Sequence, residues 1–203
     1  MTVVGTRIVE ELRGISCLPL ELCPSKRKSL TCSRSFSVPV KSLAELREAV
    51  AFYLSRVAER LRRFRLAAGV ITIFINTNRF STEPQYGNSV TYELAYSTDS
   101  TKELQEWTLK GLEKIYRLGY QYKKAGVILN QLVPADKMSR RFFGDAGYER
   151  ARRVLKAIDE INRRHGRDTV RFCVVQPKGR WQTKFLKRSQ CYTTRLKDVL
   201  CVH

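Results

Sequence analysis

Alternating polar and apolar positions mark the first extended segment of the chain, residues 29–36, which read S-L-T-C-S-R-S-F. Period-two alternation among strand-forming residues predicts a β-strand. The pattern then changes to helical spacing over about 42–65, where Ser42 and Glu45 form a capping-box signature. The apolar residues that recur at this spacing are Leu43, Leu46, Val50, Leu54, Val57, Leu61 and Phe64. The sequence therefore predicts a strand followed directly by a long amphipathic helix.

Three more extended segments follow, at 70–76, 90–96 and 125–132, and a second helix is predicted over about 100–118. The resulting order over 29–132 is β-α-β-β-α-β. This order predicts an α+β domain of the ferredoxin-like, split βαβ type, with four strands and two helices on one face. The other face of the sheet is then open for a different task.

The two ends of the chain add shorter elements. Residues 3–13 predict a helix that ends at Gly14, with Val4, Ile8 and Leu12 on one face. A helix over 146–165 and a short strand over 170–175 predict a small basic α/β extension. On the later helix we expect one apolar side, formed by Ala151, Val154, Leu155, Ile158 and Ile161. We expect cations on its opposite side, at Arg152, Lys156 and Arg163.

Charge narrows the class of partner. The chain has 38 basic and 19 acidic residues, a net charge of +19, and residues 137–203 carry 18 basic against 6 acidic residues. Such an excess favours a polyanionic partner. No apolar run is long enough to predict a membrane span. Glu10 and Glu11 stand where a signal peptide needs an apolar block, so we expect a cytoplasmic protein.

The sequence contains no motif with the residue spacing of a catalytic or metal-binding site. The six cysteines form no C-x-x-C pair and only two histidines are present, so the sequence predicts no metal site and no cofactor. The acidic doublets, Glu10–Glu11 and Asp159–Glu160, fall within predicted helices and are expected on solvated faces. Nucleotidyl transfer needs clustered carboxylates that hold metal ions. The sequence therefore predicts no enzyme activity for this chain on its own.

Two basic stretches are candidates for contact with nucleic acid. Ser33, Arg34 and Ser35 would offer a phosphate backbone two hydroxyls, one cation and the N–H groups of a strand edge. The alternative is an ordinary strand with one solvated arginine. Near the end of the chain, cations stand beside Trp181, Phe185 and Tyr192, a mixture that suits unpaired bases and phosphates. The alternative there is a partly disordered basic tail.

Four motifs in register resemble the C-terminal part of the UmuC-like proteins, which are Y-family translesion DNA polymerases. They are I-V-E-E-L-R-G-I-S-C-L-P-L-E, C-S-R-S-F, A-G-V-I-L-N and Y-T-T-R, beginning at residues 8, 32, 125 and 192. The resemblance implies that 1–28 is the end of the thumb and its linker, 29–132 the little finger, and 133–203 the small C-terminal domain. Palm and fingers, which carry the metal carboxylates in that family, have no counterpart, so the chain resembles a truncated polymerase.

The resemblance also implies particular binding residues. Little fingers grip DNA phosphates with their strands, and the residues implied here are Ser33, Arg34, Ser35, Arg79, Thr91 and Tyr92. UmuC-like proteins carry a sliding-clamp motif after the fourth strand, where this chain reads S-R-R-F-F. Phe142 and Phe143 would fill the apolar pocket of the clamp, although Ser139 replaces the usual glutamine.

Three hypotheses of function follow from these observations. The first is a non-catalytic, DNA-gripping fragment of a translesion polymerase that contacts phosphates independently of sequence. The second is a protein-interaction module that binds the sliding clamp, the RecA filament or a UmuD-type subunit without strong affinity for DNA. The third is an active polymerase, which the missing carboxylates argue against.

Overall fold

The computed structural model describes residues 2–18, 20, 27–137, 145–171, 181–182, 189–192, 194–195, 197 and 199. Its elements are α1 Val3–Leu12, β1 Ser29–Val40, α2 Leu43–Arg63, β2 Leu66–Thr77, β3 Gly87–Thr98, α3 Thr101–Ile115, β4 Tyr122–Pro134, a short 3-10 turn Ala135–Lys137, and α4 Asp145–His165. The predicted β-α-β-β-α-β order and the two flanking helices are confirmed.

Local capping explains where the two central helices begin. The Ser42 hydroxyl accepts a hydrogen bond from the backbone N–H of Glu45 at 3.3 Å and donates to the carboxylate of that glutamate at 2.9 Å. Ser100 caps α3 through the backbone N–H of Glu103 at 3.5 Å. Each cap satisfies a donor that would have no partner within the helix. Helix α3 ends three residues earlier than predicted, because Tyr116 adopts an extended backbone with ψ 138°.

All four strands form one antiparallel sheet in the order β1-β4-β2-β3. Strands β1 and β2, joined through α2, lie on either side of β4. Strands β3 and β4, joined through α3, lie on either side of β2. The edges of the sheet are therefore β1 and β3, so the Ser-Arg-Ser segment lies on an edge strand.

The hydrophobic core lies between one face of the sheet and the two helices α2 and α3. Its largest fully buried side chains are Tyr53, Tyr122, Phe36, Leu30, Leu46, Leu54, Leu61, Ile71, Ile73, Ile75, Leu104 and Leu112. On each strand the alternate residues point away from this core. Many of these residues are exposed on the edge strands, so the opposite face is largely open to solvent in the described part of the chain.

Polar contacts join helix α4 to α2 and to the segment between β3 and α3. Arg62 of α2 binds Asp159 with two hydrogen bonds of 2.6 and 2.8 Å. The Tyr148 hydroxyl donates to the carboxylate of Asp99 at 2.7 Å, and Leu155 of α4 is buried. Burial raises the pKa of Tyr148, and the hydrogen bond to Asp99 raises it further. Helix α4 is thereby joined to the sheet domain.

The predicted orientation of α4 is wrong in part. Val154 and Ile161, expected on the packed side, are 53% and 38% exposed, and Arg152, expected in solvent, lies 3.5 Å from the carboxylate of Asp99. Asp159 was expected on a solvated face and instead pairs with Arg62. The helix is turned so that charged pairs with the sheet domain are formed, at the expense of two aliphatic side chains.

Trp181 is part of the core and is not available to a base. Its side chain is 3% exposed and lies against Phe52 and Tyr53, with ring centroids 5.4 and 5.7 Å away. The expectation that Trp181 serves nucleic-acid binding is therefore wrong, because α2 presents an aromatic slot that removes this ring from water. Phe185, most of the predicted strand 170–175 and the clamp-like segment 139–143 lie outside the described residues.

Helix α1 is present, but its apolar stripe is not buried among the described residues. Val4, Ile8 and Leu12 are 66%, 53% and 83% exposed. Glu10, expected in solvent, accepts a hydrogen bond from the Cys17 thiol at 3.0 Å, and this contact raises the pKa of the thiol. The helix therefore presents an apolar surface to solvent.

Candidate nucleic-acid interface

The open face of the sheet is built from residues that the strand register brings into rows across all four strands. Each row is given in the spatial order of the strands, β1, β4, β2 and β3. The central row is Ser33, Gly126, Phe74 and Ser89. The row on one side of it is Ser35, Lys124, Asn76 and Gly87. The row on the other side is Thr31, Ile128, Thr72 and Thr91. We call these three rows the open face.

Most side chains of the open face are small and carry a hydroxyl or an amide. Thr72 and Thr91 share a hydrogen bond of 2.9 Å between their hydroxyl oxygens across β2 and β3. Hydroxyls and amides of this kind are common ligands of phosphate and sugar oxygens. The face can therefore provide many neutral hydrogen-bonding groups to a nucleic-acid backbone.

Phe74 is the aromatic residue of these rows, and Gly126 makes room for it. A Cβ atom at Gly126 would lie 2.6 Å from Cζ of Phe74 and 2.4 Å from Cβ of Ser33. Both distances are far below van der Waals contact, so only glycine fits at this position. The Phe74 ring consequently extends over the backbone of β4 in the middle of the face.

Positive charge on the open face is placed at one end. Lys124 is the cation of the three rows, and its Nζ lies 6.0 Å from the centroid of the Phe74 ring. The neighbouring Lys123 donates to the backbone carbonyl of Ser37 at 3.3 Å. Glu93 of β3 lies beyond the Thr31 row, at the far end of the face. An anionic ligand would therefore be attracted toward the Lys124 end.

The loop between β2 and β3 lies at this same end and is held in shape by Gln85. The carboxamide of Gln85 donates to the carbonyls of Asn78 and Ser81, at 2.9 Å each, and accepts from the Thr77 hydroxyl at 3.1 Å. The loop presents Arg79 and Phe80 to solvent, and Phe80 is 90% exposed. Arg79, a candidate from the sequence, is thus close in the chain to the basic end of the face.

The six residues implied by the resemblance do not share one face. Ser33, Ser35 and Thr91 lie on the open face. Arg34 pairs with the buried Ala125 and so lies on the helical side of the edge strand, where it is exposed. Tyr92, the last of the six that lies on a strand, also points to the helical side. Its ring packs against Trp107 of α3, with ring centroids 5.2 Å apart. Their roles in binding stay predictions.

The helical side of β1 has its own electrostatics. Burial raises the pKa of the Cys32 thiol, and the positive charges of Arg34, Arg60 and Arg56 partly offset that rise. Arg60 also donates to the backbone carbonyl of Thr31 at 3.1 Å. This bond gives a backbone acceptor of the edge strand a side-chain partner, and edge strands covered in such ways are less open to pairing with another strand.

Sequence reasoning missed Phe74, Lys124 and Gly126. A signal was present, because alternation within 70–76 places Phe74 opposite the side of Ile71, Ile73 and Ile75. The pairing of Phe74 with Gly126 depends on long-range register, which alternation alone does not provide.

Among the described residues there is no group of three or more histidine, cysteine or acidic side chains placed to hold a metal ion. None of the described helices is long and apolar enough to cross a membrane.

Comparison with protein families gives two matches. Residues 27–142 match the model of the impB/mucB/samB family C-terminal domain. Residues 152–202 match a model described as a domain of unknown function, DUF4113. The first match contains the whole sheet with α2 and α3, and the second contains most of α4.

Individual relatives give the same picture. Protein UmuC of Salmonella typhimurium is 35% identical over 202 residues, which cover 98% of this chain and 48% of that protein. Protein MucB of Escherichia coli is 32% identical over 163 residues, 80% of this chain and 39% of the relative. The chain thus spans about half the length of the UmuC protein. A solved insertion ternary complex of Dbh DNA polymerase has a TM-score of 0.44 at 7% identity, over 65% of this chain and 36% of the polymerase chain.

Proposed function

Since this chain belongs to the impB/mucB/samB family, we propose that it binds DNA as the C-terminal part of a UmuC-like translesion polymerase. One observation carries the proposal: the segment that matches the family's C-terminal domain, 27–142, is the segment that folds into the open-faced sheet. In this proposal the sheet grips damaged DNA during SOS lesion bypass and DNA repair in the cytoplasm.

The proposed mechanism is sequence-independent contact with the phosphate backbone. Hydroxyls of the open face donate hydrogen bonds to phosphate oxygens, and Lys124 supplies a cation at one end. Exposed cations near that end, such as Arg79, and the net charge of +19 strengthen the long-range attraction. Ser33 and Ser35 contribute on the open face, whereas Arg34 would reach only a backbone that passes along the edge of β1.

We propose further that these residues perform no chemistry by themselves. Phosphoryl transfer requires metal ions held by clustered carboxylates, and the described part of the chain offers no such cluster. The chain would act as the DNA-gripping portion, with 1–28 as linker, 29–132 as little finger and 133–203 as the C-terminal domain. Catalysis would reside in a segment that corresponds to the rest of the longer relatives.

A second candidate function is protein interaction, and the exposed stripe of α1 favours it. Val4, Ile8 and Leu12 present an apolar surface at helical spacing, and exposed apolar patches commonly mark interaction sites. The candidate partners remain the sliding clamp, the RecA filament and a UmuD-type subunit. A protein that only served such partners would bind DNA weakly and without preference for the open face.

Salt dependence of DNA binding tests the primary proposal. Each phosphate neutralised on duplex DNA contributes about −0.9 to the log–log slope of affinity against salt. Lys124→Ala should therefore make the slope shallower by about one unit and weaken all sequences alike. Lys102→Ala is the matched control, because it removes the same charge from an exposed site on α3. Equal slopes for the two variants would refute binding by the open face.

Arg34 is tested in the same assay with a different control. If the backbone passes along the edge of β1, Arg34→Ala should also lower the slope by about one unit. Arg47→Ala is the control, since Arg47 lies on α2 and pairs with Glu113. Identical slopes for these two variants would remove Arg34 from the interface and leave Lys124 unaffected as a candidate.

A further inference from the structure

Helix α4 carries an apolar stripe beside the side that packs on the sheet domain. Its members are Ala151, Val154, Ile158 and Ile161, which we call the α4 seam. Their alternating steps of three and four residues are the spacing by which helices pair side by side. We infer that the α4 seam is a docking site for an amphipathic helix of a partner protein, one whose apolar stripe is flanked by acidic residues. This inference goes beyond the proposed binding of DNA and concerns another face of the molecule.

Exposure distinguishes the α4 seam from the packed side of the helix. Val154 and Ile161 are 53% and 38% exposed, and Ala151 is exposed as well. Leu155, which follows Val154 on the helix surface, is 7% exposed. Helix α4 therefore has two apolar sides, and the contacts with the sheet domain bury only the one that contains Leu155.

The α4 seam borders a cleft between α4 and α2. Ile158 lines this cleft together with Phe52 of α2 and Val170, and all three are half-buried. The charges of Arg62 and Asp159, which also line it, neutralise each other in a pair of 2.6 Å. An apolar side chain of a docked helix would thus contact apolar surface on both α4 and α2.

The charge along the outer side of the α4 seam selects the partner. Arg150, Arg153 and Arg164 lie there at exposed positions, and the nearby Glu160 carboxylate accepts a hydrogen bond from Arg164 at 2.6 Å. Positive charge remains in excess, and charges that flank such a seam decide which helices pair. Acidic residues on the docked helix would therefore stabilise the complex. An antiparallel pair of two α4 seams would place arginine against arginine, which argues against a second copy of this chain.

Other polyanions fit the α4 seam less well. A nucleic-acid backbone would use the arginines and leave Val154 and Ile161 in water. An anionic membrane would use both, but helices that lie on membranes insert large residues such as tryptophan, phenylalanine and leucine. The α4 seam has only alanine, valine and isoleucine, whose size suits the close packing of one helix on another.

The experiment measures binding of a designed helical peptide to the whole chain by fluorescence anisotropy. The probe is a labelled three-heptad peptide with leucine at positions a and d and glutamate at positions e and g. Its glutamates keep it from pairing with itself. A scrambled peptide of the same composition controls for the attraction of any acidic peptide to a chain of net charge +19. We expect the heptad peptide to bind at least about tenfold more tightly than the scrambled one.

Variants of the α4 seam test the apolar contact. Val154→Gln with Ile161→Gln keeps good helix formers at both positions and should weaken binding of the heptad peptide by about tenfold. Leu118→Gln is the control, because Leu118 is 85% exposed on the loop before β4, away from α4. It should bind the peptide like wild type.

Charge reversal tests the selection of an acidic partner. Arg150→Glu with Arg153→Glu should shift the preference toward a heptad peptide that has lysine at positions e and g. Lys102→Glu with Lys114→Glu makes the same change in net charge at exposed sites on α3 and should not shift that preference.

Urea unfolding of each variant establishes that the chain is folded. If the heptad peptide binds no more tightly than the scrambled one, or if the glutamine variant binds it like wild type, the inference is overturned. It is also overturned if duplex DNA or phosphatidylglycerol vesicles bind through Val154 and Ile161 while the peptide does not. Lys124→Ala should bind the peptide like wild type, so the result does not depend on the proposed DNA-binding function.

Discussion

Gly126→Ala should disrupt the open face from below. The new methyl group would lie 2.4 Å from Cβ of Ser33 and 2.6 Å from Cζ of Phe74. The phenyl ring can swing away, since it is the far end of a rotatable side chain. The Ser33 Cβ cannot, because it is bonded directly to the backbone of β1. The edge strand must therefore move away from β4 by about 1 Å to restore ordinary contact.

The size of the effect follows from this movement. Overpacking of a close contact costs about 1–3 kcal/mol, and stretched β1–β4 hydrogen bonds add about 1 kcal/mol each. Replacing glycine by alanine returns roughly 0.4–1 kcal/mol by restricting the unfolded chain. We expect a net loss of about 2–3 kcal/mol in the free energy of unfolding. Such a loss is a large share of the roughly 5–15 kcal/mol typical of a domain.

Urea unfolding of a four-variant set tests the reasoning. Ser33→Gly removes the immovable Cβ, so the double variant Ser33→Gly, Gly126→Ala should be little less stable than Ser33→Gly alone, a coupling of about 2 kcal/mol. Gly147→Ala on α4 is the control, since nothing beyond its chain neighbours and the backbone of its own helix lies within 4 Å of the new Cβ, and a helical glycine-to-alanine change gains up to about 1 kcal/mol. Additive losses at 33 and 126, or an undiminished stability of Gly126→Ala, would refute the proposed contact.

Three other predictions concern the rest of the molecule. Asp159→Asn should lower the free energy of unfolding by about 1–3 kcal/mol because Arg62 keeps a partly buried charge without its partner, whereas Glu149→Gln, at an exposed position of the same helix, should leave urea unfolding unchanged. Phe142→Ala with Phe143→Ala should abolish pull-down by the sliding clamp, and equal retention by wild type and variant would remove the clamp as a partner. The purified chain should not extend a DNA primer with magnesium, and any incorporation by clean protein would contradict the proposed non-catalytic role.

Local signals were enough to predict most elements of this fold. The cap at Ser42 depends on residues within one helical turn, and the sequence shows all of them. The strand at 70–76 is β-branched and alternates, so its existence needed no tertiary information. Because side chains alternate along a strand, Arg34 lies on the opposite face from Ser33 and Ser35. The prediction of a single phosphate-binding segment did not take this alternation into account. The same applies to Thr91 and Tyr92, which neighbour each other in the chain and lie on opposite faces.

Long-range contacts account for what could not be predicted. The rotation of α4 depends on the pair between Arg62 and Asp159, which are 97 residues apart in the chain. Trp181 finds its aromatic slot on α2, and no local pattern distinguishes such a ring from one that is free to stack. The row that joins Phe74 to Gly126 exists only once β4 has taken its place beside β2.

The position of β4 has a consequence for the order in which the protein folds. Strand β1 has β4 as its neighbour in the sheet, and Ser29 pairs with Asn130. The β2–β3 hairpin can form locally, but β1 has no partner in the sheet until β4 has been synthesised and has paired with β2. The pairing of β1 with β4 is therefore a late, non-local step of folding. Such steps are slow, and partly folded chains that have not yet completed them are prone to associate. A charge in the middle of a waiting strand discourages pairing with other chains. We expect Arg34 to protect nascent chains from aggregation, whether or not it ever contacts DNA.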